Sequence, residues 1–121
     1  MRILVVDDDL DLMNGYADLL EQAGHTTVRC GSFPDARAAM KTNPFDVIVT
    51  DVRLGDRNGL GLLLDAAELR PDAQKVVMSG FDDPVLRRDA EELGAVFLLK
   101  PVAPEALFQA VRPRQPGRHS A

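Results

Sequence analysis

Apolar residues follow two rhythms along this chain. Short unbroken runs, Ile3-Leu4-Val5-Val6, Val47-Ile48-Val49, Val76-Val77-Met78 and Val96-Phe97-Leu98-Leu99, alternate with longer stretches in which apolar residues recur every three or four positions. An unbroken apolar run suits a strand buried on both faces, and a period near 3.6 suits a helix with one face on a core. Their alternation predicts repeated βα units around a parallel sheet. Strands are predicted at Arg2–Val6, Thr26–Cys30, Phe45–Thr50, Lys75–Met78 and Ala95–Leu99. Of these, Thr26–Cys30 alternates polar and apolar residues, as a half-exposed edge strand does. Helices are predicted over Asp9–Gln22, Phe33–Lys41, Leu60–Leu69, Pro84 to Gly94, and Pro104–Val111.

Residues with special backbone preferences set the boundaries. Ser32 and Asp83 are placed to accept hydrogen bonds from first-turn amides, and Pro84 suits a first helical position. Gly24 and Gly94 stop helices, while Asn43-Pro44, Pro71 and Pro113 break the chain. Leu54 to Gly59 reads as a turn-rich loop. Gly15 inside the first helix costs roughly a kcal/mol against Ala unless it admits close packing. Residues 1–111 form one domain, and Arg112–Ala121, basic and rich in Pro and Gly, is expected to be a disordered tail or the stub of a linker.

Composition removes several function classes. At 121 residues the chain has room for one core. Its 14 Lys and Arg against 19 Asp and Glu argue against direct binding to nucleic acid or an anionic membrane. One cysteine and two isolated histidines exclude an internal disulfide and a zinc site of Cys and His. No segment has the length of a signal core or a membrane span, so a cytoplasmic protein is expected.

The remaining signal lies where the apolar runs stop. Successive strands end in Asp7-Asp8-Asp9, Asp51, Ser79-Gly80 and Lys100-Pro101. In an open parallel sheet ligands bind at the carboxyl ends of the strands, which makes Asp51 the candidate reactive centre. Asp7, Asp8 and Asp51 at neighbouring strand ends repel one another unless a cation joins them, and Mg²⁺ suits carboxylates shared with a phosphate. Lys100 and Ser79 can donate to the same phosphoryl group. Taken singly these are ordinary surface and turn residues; their combination at separate strand ends is the informative feature.

The order Val5-Val6-Asp7-Asp8, Thr50-Asp51, Ser79-Gly80, Lys100-Pro101 closely resembles the receiver domain of two-component response regulators over about Arg2 to Val111. The resemblance implies a flavodoxin-like α/β fold, a five-stranded parallel sheet of order 2-1-3-4-5 with five helices on its two faces. It implies that Asp51 takes a phosphoryl group from a histidine kinase or histidine phosphotransfer protein. Asp8, Asp51 and the Arg53 carbonyl would ligate Mg²⁺, or Mn²⁺ in its place, with Asp7 acting through water. Lys100 would pair with the acyl phosphate, Ser79 would swing in to it, and Phe97 would turn inward behind. Arg53 and Phe81 would tune hydrolysis, and the Lys100–Pro101 bond would be cis. Such a domain catalyses only its own phosphorylation and dephosphorylation. It acts on a downstream protein or output domain through the surface of its fourth helix, fifth strand and fifth helix.

The wording around Asp51-Val52-Arg53-Leu54 and after Lys100-Pro101 is similar to receivers of enhancer-binding transcription activators. Gly55 stands where many receivers have proline, which predicts a more mobile loop, and the early Pro113 shortens the last helix, which favours a monomer or weak dimer. Partner choice is expected at exposed positions of the first helix such as Asp11, Asn14 and Asp18. Two rivals remain. Asp7-x-Asp9 also resembles haloacid-dehalogenase phosphatases, with Asp7 as nucleophile, although Asp11 is unlike that family and no acidic pair follows Lys100. A receiver-like interaction module that never takes phosphate is the other.

Overall fold

The computed structural model describes residues 1–113. Most of the expected tail, residues 114–121, lies outside the described residues. The elements are β1 (Arg2–Val6), α1 (Leu10–Gln22), β2 (Thr26–Cys30), α2 (Phe33–Thr42), β3 (Val47–Asp51), β4 (Arg53–Leu54), β5 (Arg57–Asn58), α3 (Gly59–Leu69), β6 (Gln74–Ser79), α4 (Pro84–Glu92), β7 (Val96–Leu99) and α5 (Pro104–Val111).

Five strands pair in parallel in the order β2-β1-β3-β6-β7. With β4 and β5 set aside, this is the expected order 2-1-3-4-5. Those two strands form a separate antiparallel hairpin within the segment expected to be a loop. Gly55 turns it at φ +63°, a conformation that glycine adopts without steric cost.

Alternation along each strand divides the core into two layers. Leu4, Val6, Ile48 and Val77 pack with α2, α3 and α4 through Met40, Leu62, Leu63 and Ala90. Ile3, Val5, Val49 and Met78 face the other way, against Met13, Tyr16 and Leu20 of α1 and Leu107 and Val111 of α5. Central strands covered on both sides have no polar face, so their runs are uniformly apolar. Each fully buried Leu or Ile side chain contributes about 1.5–3 kcal/mol.

Helix starts follow the expected chemistry. Asp9, Ser32 and Asp83 accept from amides of the first turns of α1, α2 and α4, and Asn58 caps α3. On α1 the buried face runs through Met13, Tyr16, Ala17 and Leu20, while Leu10 and Leu12 are 57% and 40% exposed. A Cβ on Gly15 would meet nothing within 4 Å, so this glycine admits no close packing and is simply a weak point of the helix.

Candidate functional site

Backbone pairing brings the strand ends together. Val6 lies beside Thr50, Asp51 beside Met78, and Ser79 beside Leu99, so the chain leaves β1, β3, β6 and β7 along one rim. The Lys100 amide donates to the Ser79 carbonyl at 2.7 Å, which fixes Lys100 just past β7. The Lys100–Pro101 peptide bond is cis.

Asp7, Asp8 and Asp51 each present a carboxylate oxygen within 4.8 Å of the others. Lys100 enters between two of them, its Nζ 3.0 Å from Asp7 Oδ2 and 3.3 Å from Asp51 Oδ1. Asp7 also accepts the Asp9 amide on Oδ1 at 3.0 Å, so both its oxygens are engaged. Asp8 is exposed and accepts the Gly55 amide at 2.8 Å. Among the described residues nothing donates a hydrogen bond to Asp51 Oδ2.

Burial pushes the Asp51 carboxyl above its ordinary range; the Asp7 and Asp8 charges add to this, and Lys100 opposes it without winning. Burial alone would lower Lys100, but its bonds to Asp7 and Asp51 outweigh that and raise it. Three acids facing one ammonium therefore leave excess negative charge in a partly dry site. Carboxylate oxygens are hard donors, so this set fits a small divalent cation.

Ser79 is buried at the same rim but is turned to its own loop. Its hydroxyl donates to the Phe81 carbonyl and accepts the Phe81 amide, each at 3.0 Å, rather than reaching Asp51. Phe81 is 61% exposed, and the Arg53 guanidinium lies 5.2 Å from its ring centre. These two side chains border an open cleft of about 810 Å³, whose floor includes Ser79 and Val52. Phe97 is half-buried beneath the Arg87 guanidinium, at 4.4 Å, and Arg87 in turn pairs with Asp82 at 2.8 Å. Asp9 acts as a helix cap through its bond from the Leu12 amide.

Three supports of the site are not expected from sequence. A Cβ on Gly59 would lie 2.0 Å from the Asp51 carbonyl oxygen, so only glycine lets α3 start directly beneath the acid. Thr50, fully buried, donates its hydroxyl to that same carbonyl at 2.9 Å. The Gly55 amide holds Asp8, which a proline at this position could not do for want of an N–H. Asn58-Gly59 signals a turn in sequence, but not the close approach.

Comparison with known proteins points one way. The response regulator receiver domain family matches residues 3–112. The alginate biosynthesis transcriptional regulatory protein AlgB of Pseudomonas aeruginosa is 33% identical over 107 residues, 88% of this chain and 24% of its own. The C4-dicarboxylate transport transcriptional regulatory protein DctD of Rhizobium meliloti is 30% identical over 111 residues, 91% of this chain and 24% of its own. The chain thus spans about a quarter of the length of these two regulators. A crystal structure of a Burkholderia pseudomallei response regulator with a phosphorylated aspartic acid, calcium ion and citrate superposes with a TM-score of 0.86. It is 28% identical, and the match covers 92% of this chain and 66% of that one.

Proposed function

This chain belongs to the response regulator receiver family, and we propose that Asp51 is its phosphoacceptor. The observation that supports this most is the contrast between the two buried acids. Both oxygens of Asp7 are engaged, whereas Asp51 keeps Oδ2 free of donors among the described residues while Lys100 steadies Oδ1. Asp51 Oδ2 attacks the phosphorus of a phosphohistidine on a sensor kinase or phosphotransfer protein. The P–O bond forms, the P–N bond breaks, and the imidazole leaves. The same contrast disfavours Asp7 as a phosphatase nucleophile.

Asp7, Asp8, Asp51 and the Arg53 carbonyl would hold Mg²⁺, or Mn²⁺ in its place. When bound, the ion would neutralise phosphoryl charge. Lys100 stays beside the acyl phosphate, and Ser79 turns from Phe81 to donate to it. Phosphorylation adds about 1.5–2 negative charges and three acceptor oxygens, which is the drive for that turn. Phe97 then moves with Ser79, and the surface of α4, β7 and α5 carries the change to a downstream protein or output domain. The chain is a signalling domain and not a classical enzyme, and its place is the cytoplasm, where its kinase partner presents phosphohistidine.

Intact-protein mass spectrometry after incubation with acetyl phosphate tests this reading. One phosphoryl adduct that requires Mg²⁺ and is absent from Asp51→Asn is the expected result. An adduct that persists in Asp51→Asn and maps to Asp7 would transfer the role to the phosphatase reading.

A further inference from the structure

Ser79 has one hydroxyl proton, and the Phe81 carbonyl already takes it. The same oxygen accepts the Phe81 amide, so two bonds to one residue must break before Ser79 can serve a phosphoryl group at Asp51. Phe81 is not free to follow. Its ring lies under the guanidinium of Arg53, which sits on β4 across the cleft and two positions after Asp51. The stack therefore ties the loop that carries Ser79 to the hairpin that follows the acid.

We propose that Arg53 and Phe81 are positioning residues that latch Ser79 away from Asp51, so that a phosphoryl group must compete with the Arg53–Phe81 stack for the Ser79 hydroxyl. This inference rests on Asp51 being the phosphoacceptor. It concerns an equilibrium between two partners of Ser79, and it holds whatever the rate at which the acyl phosphate is hydrolysed. Removal of an exposed cation–π contact shifts such an equilibrium by about two- to fivefold. Both residues are exposed, so neither substitution endangers the fold.

The test titrates beryllofluoride, which mimics a phosphoryl group on a carboxylate, in saturating Mg²⁺, with apparent affinity read from the backbone amide spectrum. The proteins are wild type, Arg53→Met, Ser79→Ala and the double variant. Arg53 also attracts the anion by its charge, but that contribution is equal in both Ser79 backgrounds and cancels in the ratio of ratios. The latch predicts that Arg53→Met favours binding about two- to fivefold more when Ser79 is present than when it is alanine. Phe81→Leu, which removes the ring and no charge, must give the same ratio.

Ratios of one for both variants overturn the latch. Wild-type protein that binds no beryllofluoride, or Asp51→Asn protein that binds it as well as wild type, overturns the phosphoacceptor reading and the latch with it.

Discussion

The two ends of the sheet use polar residues in opposite ways. At the end where β1 begins, polar groups close mainly on backbone or on neutral partners, with the Arg2 Nε alone left buried without a hydrogen bond among the described residues. Asp46 accepts the Arg2 amide at 2.8 Å, Arg2 reaches the Asn43 side chain at 3.2 Å, and Arg70 reaches the Asn43 carbonyl at 2.9 Å. Gln74 donates its side-chain amide to the Ala110 carbonyl. At the other end, carboxylates face carboxylates. Asp7, Thr50, Asp51 and Ser79, the buried polar or charged residues among those described, all stand there. Burying acids together costs stability unless an opposite charge is supplied, so this rim is arranged for something that arrives. Polar groups that satisfy one another hold a fold, and those left in conflict mark where it acts.

Substitutions can sharpen this contrast, beginning with the most severe. Gly59→Ala forces a methyl group against the Asp51 carbonyl and should cost about 3 kcal/mol, read by urea denaturation, with loss of phosphorylation. Unchanged stability of the Gly59→Ala protein would show that the close approach is not required. Lys100→Met leaves Asp7 and Asp51 facing each other without their ammonium. It should cost about 2 kcal/mol, and much of that loss should return when Mg²⁺ is added. A loss that Mg²⁺ does not touch would mean that Lys100 acts by packing alone. At the opposite end, Asp46→Ala removes one exposed acceptor and should cost about 0.5–1 kcal/mol with no response to Mg²⁺. A larger cost there would erase the distinction between the ends.

Much of this is legible in the sequence, and for physical reasons. A central strand covered on both faces is an unbroken apolar run, so its end is conspicuous and the polar residue that follows has a known position. Asp7, Asp51, Ser79 and Lys100 are located in this way. The hairpin of β4 and β5 is not, because strands of two residues carry no periodicity. Nor does sequence reveal that Arg53 lies over Phe81 or Arg87 over Phe97, since such pairs depend on how separate loops and helices pack. Helix α1 is legible as an element, but which of its apolar residues are buried is not. Leu12 fits the helical period with Tyr16 and Leu19, and only the placement of the sheet decides that it stays outside.

The acid conflict has a pH signature. The raised Asp51 carboxyl means that the folded protein holds a proton over a range where the unfolded chain has lost it. Its cost to stability is therefore relieved as pH falls through the raised value, and is fully present only above it. Thermal unfolding of wild type and Asp51→Asn at neutral pH, with and without Mg²⁺, tests the account most directly. Without Mg²⁺ the variant should be more stable by about 1 kcal/mol, a Tm rise of about 4 °C. Mg²⁺ should raise the wild type more than the variant and narrow or reverse that gap. A variant less stable than wild type without the ion, with no difference in response to it, would contradict the claim that this rim is held in conflict for an incoming charge.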